Sequence, residues 1–279
     1  MCTVCGCGEP DKKSATHTHE HPHDHAHDHA HEHQHDHEHD HEHHHYGHGE
    51  FGAHVPGLSQ KRMIQIEQGI LEKNDGYARN NRLMMQKQGI LSLNLLSSPG
   101  AGKTTLLSRT IKALPDNLTC KVIEGDQETS HDADKIRETG AQAIQINTGK
   151  GCHLDAHQVG HAMEELALAK GEILFIENVG NLVCPAGFDL GEDAKVVILS
   201  VTEGEDKPLK YQQMFHNADL ILINKIDLLP YLDFDLDKCL EYIEAINPGV
   251  KTLQISATSG AGMQNWQEWL SLKHQLKQL

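Results

Sequence analysis

The chain has 279 residues, a formal charge of −16, 24 histidines and 7 cysteines. An acidic balance of that size is a poor electrostatic match for nucleic acid or an anionic membrane, and no apolar run approaches the roughly 20 residues that span a bilayer. Composition therefore argues against a nucleic-acid partner and against membrane insertion, and a cytoplasmic protein is the expectation.

The start, MCTVCGCGEP, lacks the basic and apolar regions of a secretory leader, yet carries three of the cysteines. Without an export signal, that pattern points to reduced thiols that hold metal rather than to disulfides. Cys2, Cys5 and Cys7 can wrap one soft ion, with the Cys2 amine as fourth donor once Met1 is removed. Thiolates and an amine in a plane suit Ni2+ better than Zn2+, which prefers a tetrahedron.

From His17 to His43 every second residue is histidine, followed by His44, His45 and His48, with eight acidic residues interleaved. Alternation puts imidazoles on one side of an extended chain and carboxylates mostly on the other. With a reference pKa near 6.5, most of the rings are neutral at about pH 7 and able to bind. The tract reads as a reservoir for a divalent transition metal. Residues 1–58 hold −9 of the net charge and cannot bury enough apolar area to fold alone. A disordered metal-binding segment is predicted there, with a cysteine tip over 1–8 and a histidine tract over 17–48.

Residues 59–89 read as a helix from an N-cap at Ser59 to about Gln88, ended by Gly89, with Met63, Ile64, Ile70 and Leu71 on one face. From residue 90 apolar strands follow at 90–97, 119–124, 142–147, 172–177, 195–201, 219–224 and 251–256. Helical patterns at 103–114, 155–169, 235–246 and 262–275 fit between them. Near-continuous apolar strands separated by helices predict an α/β fold over 90–279, a mostly parallel sheet with helices on both faces. Ligands of such sheets bind at the carboxyl ends of the strands.

The first strand runs into SSPGAGKTTLL, residues 97–107. Gly100, Ala101 and Gly102 form a loop whose N–H groups can face an anion at a helix start, with Thr105 in the first turn beyond it. Lys103 would reach the β- and γ-phosphates, and the Thr104 hydroxyl would ligate Mg2+. Ser97 stands where the generic phosphate-loop pattern has glycine. In NKID, Asp227 can accept from N1–H and the exocyclic amine of guanine, and adenine offers neither donor there. Asn224 would brace the loop and the Lys225 stem would cover the base. Ser256 and Ala257 stand where a backbone N–H can meet guanine O6. A GTP site with Mg2+ follows, completed by Asp126 and Glu177 as Mg2+ or water-orienting groups and by the Gly180 N–H as a γ-phosphate donor. No arginine finger or switch glutamine is evident, so slow turnover is expected.

GKGCHLDAH (149–157) follows the third predicted strand and ENVGNLVCP (177–185) the fourth, both on the nucleotide edge. Cys152, His153 and Cys184 can converge there as a set suited to Zn2+ or Ni2+, or the two cysteines can be small buried hydrophobes. Cys184 lies four residues beyond Gly180, so a γ-phosphate acting on Gly180 would move a metal ligand. His157 and His161 read as surface residues, Cys120 and Cys239 as core.

Taken with VIEGDQ, SVTEGEDKPLKY and SATSG, these motifs resemble the HypB family of hydrogenase nickel-incorporation GTPases, part of the dimerising P-loop group that includes signal-recognition proteins. The resemblance covers nearly the whole chain. It implies GTP hydrolysis coupled to delivery of Ni2+ into the [NiFe]-hydrogenase large-subunit precursor, alongside a HypA-type nickel metallochaperone. It implies a nucleotide-linked homodimer with metal at its interface on Cys152, His153 and Cys184, and a tight nickel site at Cys2, Cys5 and Cys7. A urease-type nickel GTPase is the nearest alternative, but its Cys-Pro-His motif is absent, since Ala186 follows Cys184-Pro185. A metal-storage protein with an uncoupled GTPase domain is another.

Overall fold

The computed structural model describes residues 60–115, 117–126, 131–149 and 151–279. Cys2, Cys5, Cys7, the histidine tract, Ser59 and the Met63 side chain lie outside the described residues. In chain order the elements are α1 (Gln60–Lys87), β1 (Leu91–Ser97), α2 (Lys103–Lys112), β2 (Cys120–Asp126), α3 (His131–Arg137), β3 (Gln142–Asn147), α4 (Ala156–Leu166) and β4 (Ile173–Glu177). A 3₁₀ turn (Cys184–Gly187) leads to β5 (Ala194–Ser200), α5 (Lys207–Lys210), α6 (Gln212–His216) and β6 (Leu220–Asn224). A second 3₁₀ turn (Ile226–Tyr231), α7 (Leu236–Ile246), β7 (Lys251–Gln254) and α8 (Met263–Lys277) complete the chain.

All seven predicted strands form one parallel sheet in the order β3-β2-β4-β1-β5-β6-β7. Helices cover both faces, as parallel pairing requires when both sides of each strand are apolar. Leu91, Leu93 and Leu95 pack with Leu106 and Leu107 of α2, Ile136 of α3, and Trp266 and Leu270 of α8. Trp266 is wholly buried, and its indole N–H donates to Thr110 Oγ1 at 2.8 Å, so the ring is buried without leaving its one donor unpaired. On the opposite face, Ile123, Leu174 and Ile176 meet Met85 of α1 and Val159, Met163 and Leu166 of α4. Farther along, Val197, Leu199, Ile221 and Ile223 meet Phe215 of α6 and Ile243 of α7.

α1 departs from expectation. Ile64 and Ile70 are exposed, and the buried stripe is instead Glu67, Asn74, Ala78, Asn81 and Met85. The stripe keeps helical periodicity, but it is polar because it meets loop backbone. Unpaired carbonyls and amides there need hydrogen-bonding partners that leucine cannot supply. α3, α5 and α6 were not anticipated from the sequence. They span only 7, 4 and 5 residues, too short for a repeating apolar pattern to emerge.

Gly191 has φ +93°, and a Cβ there would lie 2.6 Å from the Ala78 carbonyl oxygen and 2.9 Å from Arg82 N. Gly140 has φ +89° with open space around it. Gly140→Ala should therefore lose about 1–2 kcal/mol from left-handed strain alone. Gly191→Ala should lose more than about 3 kcal/mol, because α1 must also shift. Urea unfolding of the two variants measures the difference.

Candidate nucleotide and metal sites

The carboxyl ends of β1, β2 and β4 open into a cleft of about 500 Å³. Gly100, Gly102, Lys103, Thr104, Thr105, Asp126, Glu177, Gly180 and Lys225 all line it, while Ala101 is buried behind the loop. The loop takes its shape from two left-handed residues, Gly100 at φ +75° and Gly102 at φ +97°. A Cβ on Gly102 would sit 2.7 Å from Asn224 Nδ2, so glycine is required by space as well as by φ.

Lys103 is almost wholly buried and donates to Ser97 Oγ at 2.9 Å. The residue that departs from the generic motif thus holds the lysine in place. Burial pulls the Lys103 pKa down, while Glu177, Asp132 and Glu124 oppose that pull. Thr104 Oγ1 donates to Glu177 Oε1 at 2.7 Å. Glu177 is raised above the usual carboxylate range by burial, with Lys103 and Thr104 pulling the other way, and its Oε2 is buried without a hydrogen-bond partner.

Glu124, Asp132 and Lys135 also line the cleft, and sequence reasoning did not single them out. Glu124 is pushed up to about 8 by burial and then by Glu177 and Asp126, and its Oε2 likewise has no partner. It stands two residues before Asp126 on β2, so strand periodicity puts both on one side of the sheet, a signal that was available. Two buried carboxyl oxygens without partners, beside a threonine hydroxyl and Asp126, form a hard oxygen donor set of the kind Mg2+ takes. Gly180 packs against the phosphate loop itself: a Cβ there would lie 2.9 Å from Pro99 Cα.

Asn224, Lys225, Asp227, Ser256 and Ala257 lie at the adjacent β6 and β7 ends. Asn224 Nδ2 donates to the Ala101 carbonyl at 2.9 Å, and its Oδ1 accepts from Ala257 N at 3.1 Å, so it joins the phosphate loop to the loop after β7. Lys225, at φ +64°, donates from Nζ to the Gly100 carbonyl at 2.7 Å. Asp227 is exposed in the first turn of the 3₁₀ segment. The amides of Ser256 and Ala257 are both engaged within the protein, the first by the Ala261 carbonyl at 2.8 Å and the second by Asn224. Both residues stand at the strand end expected to meet guanine O6.

Cys152, His153 and Cys184 converge, with their ligand atoms within 4.8 Å of one another. The first two come from the loop ahead of α4 and the third opens the 3₁₀ turn after β4. Cys152 Sγ lies 3.5 Å from His153 Nδ1, and the His153 ring packs against Phe188 at 3.9 Å between centroids, tilted by 40°. Hydrogen bonds from Cys152, His153 and Asn181 hold the Cys184 thiol down to about 4 against the opposing effect of burial. Two soft donors and an imidazole, one of them already a thiolate, are the chemistry of a Zn2+ or Ni2+ site. Burial raises Cys120 to about 11 and Cys239 to about 12, which leaves both as inert core thiols. His157 and His161 are exposed, and their Nε2 atoms face each other at 3.2 Å.

A group with pKa about 4 is a thiolate at every pH above that value and loses its charge only as pH falls through it. Iodoacetamide should therefore label Cys184 at pH 6 nearly as fast as at pH 8. An ordinary thiol would slow by about 80-fold over that interval. Peptide mass spectrometry identifies the labelled residue.

The description "CobW/HypB/UreG, nucleotide-binding domain" matches residues 92–254. The hydrogenase maturation factor HypB of Rhizobium leguminosarum bv. viciae is 59% identical, over 98% of this chain and 96% of that protein. The crystal structure of HypB from Archaeoglobus fulgidus superposes with TM-score 0.69 at 37% identity, covering 73% of this chain and all (100%) of that one. HypB from Helicobacter pylori, solved in complex with nickel, gives TM-score 0.69 at 38% identity, covering 73% of this chain and 95% of that one. A parallel sheet with a phosphate-loop cleft and identity of this extent lead to one conclusion: the chain belongs to the HypB family of hydrogenase maturation factors.

Proposed function

We propose that the chain is a GTP-hydrolysing nickel metallochaperone of the cytoplasm that stores Ni2+ and delivers it for assembly of the [NiFe]-hydrogenase active site. The observation that carries the reading is the continuity of β4 with both sites. Glu177 receives the Thr104 hydrogen bond, Gly180 abuts Pro99 of the phosphate loop, and Cys184 joins Cys152 and His153 four residues later. The nickel complex of the Helicobacter pylori relative supports Ni2+ as the cargo.

In this reading the loop amides and Lys103 cradle the phosphates, and Lys103 neutralises charge that builds on the β–γ bridge as the γ-phosphoryl leaves. Thr104 and Asp126 would hold Mg2+, with the partnerless oxygens of Glu177 and Glu124 close enough in character to receive its water ligands. When bound there, Mg2+ would supply positive charge that offsets the charge of the phosphates. Glu177 orients the attacking water, and the Gly180 N–H reads the γ-phosphate. Asp227 reads guanine, with Asn224 holding its loop and the Lys225 stem covering the base. Cys152, His153 and Cys184 carry Ni2+, or Zn2+ in competition, at the interface of a nucleotide-linked homodimer. Cys2, Cys5 and Cys7 hold a second nickel, and the histidine tract buffers both metals. A HypA-type metallochaperone and the hydrogenase large-subunit precursor are the proposed partners. Among the described residues no helix is long and apolar enough to cross a membrane.

Phosphate release tests the nucleotide half directly. The chain should hydrolyse GTP slowly and ATP at least about a hundredfold less efficiently, since adenine leaves Asp227 unpaired. Asp227→Asn should lose GTP turnover and gain xanthosine triphosphate turnover, because a carbonyl there replaces the exocyclic amine. Equal use of GTP and ATP would overturn the assignment.

A further inference from the structure

The three metal-site residues sit on two loops that are separate in sequence, 148–155 and 178–193, so something must set the distance between them. Part of the tie is direct. Asn178 Oδ1 accepts from Leu154 N at 3.1 Å, and Asn181 Nδ2 donates to the Cys152 carbonyl at 3.3 Å. The rest comes from α1. Asn81 Nδ2 donates both to the Ala156 carbonyl at 2.7 Å, at the start of α4, and to the Leu190 carbonyl at 3.1 Å, on the other loop. Asn74 repeats the bridge one heptad earlier: its Oδ1 accepts from Ala156 N at 2.9 Å and its Nδ2 donates to the Asp189 carbonyl at 2.7 Å.

Each asparagine therefore binds one backbone group from each metal-bearing segment. Both are buried, 5% and 7% exposed, so the four bonds are shielded from competition by water. The fit leaves no slack. A Cβ on Gly160 of α4 would lie 2.9 Å from Asn81 Oδ1, and one on Gly191 would lie 2.6 Å from the Ala78 carbonyl. Arg82 adds a two-pronged bond to the Asp189 carboxylate at 2.7 and 2.8 Å.

We propose that Asn74 and Asn81 are positioning residues for the metal: α1 is a bracket that holds the Cys152–His153 loop and the Cys184 segment at ligating distance. This explains why a helix with Ile64 and Ile70 exposed buries a polar stripe instead. A solvent-facing asparagine pair would do nothing for the loops, and a leucine pair would pack without fixing their register. The inference rests on the reading of Cys152, His153 and Cys184 as metal ligands, and its test separates the two.

The test uses the full chain with Cys2, Cys5 and Cys7 changed to serine, titrated with Ni2+ and followed by its thiolate-to-nickel charge-transfer band. Imidazoles of the histidine tract give no such band, and Cys120 and Cys239 stay protonated. Asn81→Ala should weaken the titration midpoint by about tenfold or shift the band, with GDP affinity unchanged within about twofold. Gly160→Ala should also weaken it. That substitution favours the helix of α4 but drives a methyl group against Asn81, and urea unfolding of the same variant beside the titration separates a displaced bracket from a general loss of stability. Should Asn81→Ala fail to fold, Gly160→Ala decides alone. If the Cys152→Ser, Cys184→Ser double variant loses the band while Gly160→Ala and any folded Asn81→Ala leave midpoint and band unchanged, the bracket is wrong and the metal site stands. If that double variant keeps the band, the metal reading falls, and the bracket with it.

Discussion

Parallel pairing of β4 between β2 and β1 is the constraint on which the rest depends. It aligns Glu177 with Glu124 on one side and with Leu95 on the other, so three strands end together beneath the phosphate loop. A parallel ladder forces every strand to leave by the same edge. The phosphate-loop, acidic and cysteine-bearing segments then share that edge without any long-range instruction beyond strand register. Slippage of β4 by one residue would turn Glu177 to the opposite face and break the Thr104 contact.

Between the two sites lies a short piece of chain under tight steric control. Gly180 has no room for a side chain because Pro99 occupies that space. Asn178 spends its carbonyl on Leu154 and Val179 and its amide on Asn94, which in turn receives no freedom from Glu192. A buried, fully paired network of this kind moves as a unit or not at all. The proposed coupling would run through this piece of chain, from the Gly180–Pro99 contact to Cys184.

Much of this architecture was legible in the sequence. Strands buried on both faces read as apolar runs, and SSPGAGKTT and NKID carry their chemistry locally. Cys152, His153 and Cys184 could be grouped because each follows a strand end, and the structure brings them together. What escaped were properties of pairs distant in sequence. The polar stripe of α1 acquires meaning only when Ala156 and Leu190 are seen opposite Asn81. The bond from the Ala257 amide to Asn224 likewise joins residues 33 positions apart. Helices as brief as α5 and α6 have no period to detect.

Coupling between nucleotide and metal is the central claim, and nickel affinity in two nucleotide states measures it most directly. The chain with serine at positions 2, 5 and 7 would be titrated with Ni2+, with Zn2+ in competition, first with GDP and then with a non-hydrolysable GTP analogue. Thiolate charge transfer reports the Cys152/His153/Cys184 site in each state. The account predicts affinities that differ by about tenfold or more, roughly 1.4 kcal/mol of coupling. Superimposable isotherms in the two states would contradict it and leave nickel handling independent of GTP.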